Sequence, residues 1–278
     1  MYNSHLLDSI AHYKILERSG ESRLGEVFRA RDTRLGRTVA IKIPPGEIQN
    51  DKARRDAFLA DAGTAMTLSH PNIATLYEVG DDNGRAFLAC EFVPGDPLDR
   101  VIAGHPLNPR RAIDITAQVA DALADAHAAG LACGDLTKDT VVVTPKGAAK
   151  ILDFGFARWT RTDGKSGDAV EDVRSLRRLF FEMLTGKPPA AADVLPSSVN
   201  KSLPAEVDPL VTKDYELAVT FAADLRAVAA ILEVRAEAAD RSRGTLGRKP
   251  PRSKAPLITA LLALLGAGLT AAWWYFRR

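Results

Sequence analysis

Cysteine is scarce in this chain of 278 residues: Cys90 and Cys133 are the only two. Two thiols in so long a chain exclude a disulfide framework and point to a reducing compartment, with both side chains behaving as small buried hydrophobes. An excess of charge of one sign is missing as well. Lys and Arg number 37 against 35 Asp and Glu, a formal net charge of +2. That balance excludes a strongly basic nucleic-acid binder and an acidic disordered tail protein. Met1 to Ile10 contain neither a basic cluster nor a sustained apolar run, so no secretory leader is expected. There is no internal repeat, and no long charge-free apolar run occurs before Leu257.

The near-neutral total hides an asymmetry. From Asp240 onward there are eight basic residues and one acid, which leaves 29 basic and 34 acidic residues in 1–239. An acidic body is joined to a basic tail. Residues 240–256 are rich in Gly, Pro, Ser and basic side chains and read as a linker. Leu257 to Phe276 carries no charge, and as a helix its twenty residues would span about 30 Å, the thickness of a bilayer core. Trp273, Trp274 and Tyr275 cluster at one end, as interfacial aromatics do. Six basic residues precede the run and two follow it, so the positive-inside rule leaves the body in the cytoplasm and Arg278 outside. The expected localisation is a single-pass cell-membrane protein in contact with membrane lipid. Ala263, Ala267 and Ala271 recur every four residues, a small-residue stripe on which a second helix could pack as a homodimer.

Along the body, residues 13–43 read as strands, with Val39-Ala40-Ile41-Lys42-Ile43 showing period-2 alternation. Asp51 to Leu68 reads as a helix with Phe58, Asp61, Ala65 and Leu68 on one face. Two strands at 74–80 and 85–93 flank a turn at Asp81-Asp82-Asn83-Gly84. Pro109 to Ala129 is a long amphipathic helix ended by Gly130, and short apolar pieces follow at 141–143 and 149–152. Asp168 to Thr185 is helical and closed by Gly186, and Glu216 to Glu237 is a last amphipathic helix. The fold class is therefore α+β, a small strand-rich lobe followed by a helical one.

Gly20-Glu21-Ser22-Arg23-Leu24-Gly25-Glu26-Val27 is a glycine-containing turn between two strands. Lys42, on the third strand beneath it, can reach the phosphates of a nucleotide. Asp61 on the following helix offers a carboxylate to pair with Lys42. Glu91-Phe92-Val93, Gly134-Asp135-Leu136, Asp153-Phe154-Gly155 and Glu182-Met183-Leu184-Thr185-Gly186 follow in order. From about Tyr13 to Val234 the sequence resembles the bacterial membrane-anchored Ser/Thr protein kinases. The resemblance implies a two-lobe kinase fold, with a strand-rich lobe at 13–92 and a helical lobe at 94–239. It implies that Gly20 and Gly25 cover the phosphates. Val27 and Ala40 would lie above an adenine and Val142 below it. Backbone groups of Glu91 and Val93 would bond its edge, with Cys90 as gatekeeper. Lys42 would touch the phosphates of ATP, Asp153 would hold Mg²⁺, and Asp135 would accept the proton of a substrate hydroxyl.

The departures bear on activity. The family's His-Arg-Asp is Cys133-Gly134-Asp135 here, so the Arg that answers a phosphorylated loop is gone. Thr137 stands where the family has a phosphoryl-contacting Lys, with Lys138 beside it. Thr140 stands where the family has a second metal-binding Asn. Ser22 replaces the middle glycine of the loop, and Asp61 replaces a Glu. Only eighteen residues separate Asp153 from Asp172, with no Ala-Pro-Glu and no substrate platform among them, and Lys213-Asp214-Tyr215 offers no Arg for the usual supporting ion pair. Thr160, Thr162 and Ser166 in the short loop read as solvated. Removing one group that stabilises developing charge costs roughly 3–4 kcal/mol, so losing two could cost on the order of 10⁴–10⁶ in rate if the effects added. The expectation is a degenerate kinase-like protein that binds ATP, transfers phosphate weakly or not at all, and scaffolds or regulates an unknown signalling protein. The alternatives are an active Ser/Thr kinase, with Lys138 replacing the missing Lys, and a nucleotide-free interaction module.

Overall fold

The computed structural model describes residues 8–246. The chain divides into two compact units, Met1–Ala230 and Ile231–Arg278, so the helical lobe expected to run to 239 has its last nine residues in the second. The first unit opens with four strands, β1 Ser9–Ile10, β2 Tyr13–Ser22, β3 Gly25–Asp32 and β4 Thr38–Ile43. A short helix, α1 Gly46–Gln49, leads into α2 Lys52–Ala65, and β5 Leu76–Asp82 and β6 Arg85–Glu91 complete an antiparallel sheet in the order β1-β2-β3-β4-β6-β5. The strand period of two sorts its side chains. Phe28, Val39, Ile41, Phe87 and Ala89 form a buried core on one face with Ile10 and Tyr13. On the other face Val27 pairs across the sheet with Lys42, Lys42 with Leu88, and Ala40 with Cys90. Helix α2 covers this second face. It begins at Asp51, whose carboxylate accepts from the N–H groups of Ala53 and Arg54, a cap worth about 1 kcal/mol. Phe58 and Ala62 of α2 are buried and Ala65 packs against the same core cluster, Ala65 and Leu68 line the cleft between the lobes, and Asp61 is turned to Trp159 and Arg158.

The second lobe contains β7 Asp96–Pro97, α3 Leu98–Ile102, α4 Pro109–Ala128, β8 Val141–Val143, β9 Ala149–Ile151, α5 Ala157–Thr160, α6 Ala169–Thr185, α7 Pro196–Val199 and α8 Asp208–Thr212. Strands β7, β8 and β9 form a small antiparallel sheet in that order. Helix α4 starts where Asn108 caps it and Pro109 removes an orphan N–H. Its apolar stripe, including Ile115, Val119, Leu123 and Ala126, is buried, and the helix packs against α6, whose buried residues include Leu176, Phe180 and Leu184. Asp168 caps the start of α6, and Gly186 ends it in the left-handed conformation.

The Lys213-Asp214-Tyr215 segment, which has no Arg of its own, is tied to α6 by an arginine of that helix. Arg177 donates to the carbonyl of Val211 and to Asp214 at 3.2 Å. Helix α9, Ala218–Leu246, runs seven residues into the stretch expected to be a linker from 240. The residues leading into it, Arg235-Ala236-Glu237-Ala238-Ala239, are strong helix formers and carry the helix on into Asp240-Arg241-Ser242-Arg243. No helix among the described residues is long and apolar enough to cross a membrane. The span expected at 257–276 lies outside the described residues.

Candidate active site

The two lobes enclose a cleft of about 370 Å³, within the range of small-molecule sites. Of the residues singled out from sequence, Gly20, Val27, Ala40, Lys42, Glu91, Val93, Asp135, Val142 and Asp153 all line it. Val27 and Ala40 face it from the sheet and Val142 from β8, which leaves a flat apolar slot between them. Cys90 lines the slot as well, and burial pushes its thiol up to about 12, with Asp153 adding to the rise and Lys42 opposing it. At the slot's edge the Glu91 N–H is bonded to the carbonyl of Thr75 at 2.7 Å, and the Glu91 carboxylate to Lys150 at 2.8 Å.

Gly25 does not line the cleft. A side chain there would meet the carbonyl oxygen of Ile43 at 2.1 Å, and its φ of +107° suits only glycine. Its role is to let β3 pass close to β4 at the hairpin tip. Ser22 ties down the same tip. Its hydroxyl accepts from the Leu24 N–H at 3.2 Å and donates to the Gly25 carbonyl at 3.3 Å.

Lys42 is 5% exposed, and its ammonium is bonded to the carboxylate of Asp153. Asp153 sits at φ +56°, a left-handed conformation that Asp tolerates better than most residues. The expected pairing of Lys42 with Asp61 is not formed. Asp61 accepts instead from the indole N–H of Trp159 at 2.8 Å and from Arg158 at 3.4 Å, and it lies outside the cleft lining. The cause is aromatic packing. Phe156 and Trp159, on and beside α5, press against Phe58 of α2 at centroid distances of 5.5 and 5.4 Å. The two rings bring the Trp159 N–H to Asp61.

The segment from Cys133 to Thr140 is held from beneath by one buried carboxylate. Asp172 accepts from the N–H groups of Cys133 and Gly134, each at 2.7 Å, and lies 2.9 Å from the Nε2 of His127. Burial, with Asp172 adding, pushes the Cys133 thiol well above its usual range. Gly134, at φ +73°, fills the place of the missing Arg for a steric reason. A side chain there would meet the Ser166 carbonyl oxygen at 1.9 Å and the Ala157 side chain at 2.6 Å. The shortened loop has closed onto this backbone. Arg161 secures the closure by donating to the Gly134 carbonyl at 2.9 Å and to Glu171 at 2.6 Å.

Thr137 and Thr140 satisfy one another: the Thr140 hydroxyl accepts from the Thr137 N–H at 2.9 Å and donates to the Thr137 carbonyl at 3.0 Å. Lys138 points away from the reacting position. It bridges Asp99 at 2.8 Å and Glu182 at 3.1 Å, and these hydrogen bonds hold its ammonium well above the ordinary lysine range. Asp135 is covered by Arg23 from the hairpin tip, whose Nη1 lies 2.7 Å from both carboxylate oxygens. The contacts of Arg23, Trp159 and Arg161 bridge segments from 27 to 112 positions apart. No local spacing marks them.

A model of the protein kinase domain family matches residues 13–175. The serine/threonine-protein kinase PknA of Mycobacterium tuberculosis is 31% identical over 304 aligned residues, covering 94% of this chain and 70% of that protein. PknB of the same organism is 30% identical over 252 residues, covering 76% of this chain and 40% of that protein. Among solved structures, the PknI kinase domain of M. tuberculosis superposes with a TM-score of 0.66 at 23% identity, over 80% of this chain and 98% of that one. That last likeness concerns the fold alone.

Proposed function

The chain belongs to the bacterial Ser/Thr protein kinase family, and from that premise we propose a membrane-tethered, degenerate member that binds ATP and transfers phosphate to protein weakly or not at all. The observation that carries the reading is the commitment of Lys138 to Asp99 and Glu182. With Thr137 in the lysine's place, the catalytic loop offers no cation to a transferred phosphoryl group, and such a group is worth about 10²–10³ in rate. The unformed Lys42–Asp61 pair and the loop closed over Gly134 act in the same direction, because an active kinase needs the strand lysine paired with the helix carboxylate.

Nucleotide binding is retained in this reading because the residues present fit the ligand. The apolar slot between Val27, Ala40 and Val142 suits a base, and the buried Lys42 ammonium suits the phosphates. Among the described residues no cluster of three His, Cys, Asp or Glu could hold a metal. Asp153 would therefore hold Mg²⁺ together with the phosphates that carry it. When bound, that ion supplies charge neutralisation between phosphate oxygens. Asp135 would orient a hydroxyl once Arg23 has left it. The charge-free run at 257–276 and its basic flanks support a single-pass anchor with the body on the cytoplasmic side. There the protein would scaffold or regulate a signalling partner, and the alanine stripe offers a second copy a place to pack.

The test is a radiolabelled ATP assay and a Mg-ATP thermal shift on the purified full-length chain. Stabilisation by Mg-ATP with little or no transfer is expected. Transfer that disappears in Asp135→Asn would establish the active-kinase reading, and no stabilisation at millimolar nucleotide would establish a nucleotide-free module. A reporter fused after Arg278 that proved cytoplasmic would overturn the topology.

A further inference from the structure

We infer that Arg23 is a terminal-phosphate reader: it makes this cleft prefer a nucleoside triphosphate over a diphosphate and rests on Asp135 when no such phosphate is present. The inference builds on the nucleotide binding proposed above.

Charge within the cleft is the first argument. Of the described residues lining it, only Lys42 and Arg23 are cationic, against Glu21, Glu91, Asp135, Asp139 and Asp153. Lys42 is deep, 5% exposed, and engaged with Asp153. A terminal phosphate placed between Asp135 and Asp153 would meet like charge from both, and an ion held at Asp153 would relieve it on that side and leave Asp135 to be answered by another cation. The nearby cations beyond the cleft are already engaged. Lys138 holds Asp99 and Glu182, Arg161 holds Gly134, Asp163 and Glu171, and Lys150 holds Glu91.

The second argument is the geometry of Arg23 itself. It sits at the tip of the β2–β3 hairpin, its side chain is 48% exposed, and its Nη1 is equidistant, at 2.7 Å, from the two oxygens of Asp135. A guanidinium that grips a carboxylate in this way is equally suited to phosphate oxygens. A half-exposed ion pair is also weakly held in water, so it exchanges readily for a more highly charged partner. Asp135 thus serves as a stand-in for the phosphate, and binding a triphosphate frees the one carboxylate that could orient a hydroxyl.

The experiment measures calorimetric affinities of the full-length protein for Mg-ADP and for the non-hydrolysable triphosphate Mg-AMP-PNP. Wild type should favour the triphosphate by about tenfold, the scale of one charge-assisted hydrogen bond. Arg23→Ala should remove that preference by weakening AMP-PNP alone, and Arg23→Lys should keep part of it. Asp135→Asn should tighten AMP-PNP and leave ADP unchanged, because it removes the competing carboxylate. Equal weakening of both ligands in Arg23→Ala, or no change in either, overturns the inference while leaving the proposed nucleotide binding intact. A wild type that binds neither ligand overturns both.

Discussion

The indole nitrogen of Trp159 lies 2.8 Å from the carboxylate of Asp61, and this contact occupies the residue expected to hold Lys42. Lys42 and Asp153 then turn to each other. The Trp159→Phe substitution keeps a ring against Phe58 and deletes only the N–H. It should lower stability by about 1 kcal/mol, the net worth of one part-exposed hydrogen bond. It should also release Asp61 toward Lys42 and enlarge the thermal shift produced by Mg-ATP. An unchanged shift in Trp159→Phe would reduce the contact to packing.

Lys138 is the second test, and it carries a pH signature. Lys138→Met leaves Glu182, 13% exposed, without its cation, and should cost about 1 kcal/mol, since the lysine itself is half-exposed. Folding raises this lysine's proton affinity. Its stabilising share is therefore complete below the unfolded-chain value of about 10.4 and is lost as pH rises through the higher folded value. Urea midpoints of wild type and variant should differ by a constant amount between about pH 7 and 9.5 and converge above about 10.4. Nucleotide affinity at pH 7.5 should be unchanged, and a loss of affinity would return Lys138 to the phosphate site.

Gly134→Ala tests the closed loop. Its added methyl would overlap the Ser166 carbonyl in a backbone conformation that itself costs an alanine about 1–2 kcal/mol. With overpacking of about 1–3 kcal/mol on top, a total of about 2–5 kcal/mol should appear in urea unfolding. A neutral substitution would mean that the loop does not rest on the glycine.

The thiols give a rapid check in solution. Cys133 is buried and Cys90 is half-buried in the cleft wall, and desolvation holds both as neutral thiols, so the native protein should resist iodoacetamide at pH 7.5 for many minutes. Both should react quickly in urea. Fast native labelling of Cys90 would show a far more open cleft than the one described.

Much of the fold was legible because its signals are local. Val39 to Ile43 alternates visibly, Asp168 and Gly186 bracket α6 as caps, and the cleft wall of Val27, Ala40 and Val142 follows from the resemblance to the kinases. Lys42, Asp135 and Asp153 could be placed from their order along the chain. The state of the site was not legible, because it depends on competition between distant groups. Asp61 was assigned to Lys42 from its helix position alone, yet Trp159 enters from 98 positions away with an N–H and a large ring. Gly134 read as a loss, and only the folded loop reveals that a side chain there has no room. The linker boundary failed for a simpler reason: the alanine and arginine residues after 235 favour helix more strongly than the later glycines and prolines suggest.

The glycine pair at the loop closure makes the two segments depend on each other. A side chain at Gly167 would run into Gly134 at 2.4 Å, and one at Gly134 would run into Ser166. A larger side chain at 134 would therefore have to displace the backbone at 166–167, and one at 167 the backbone at 134, so neither position can be filled without moving the other.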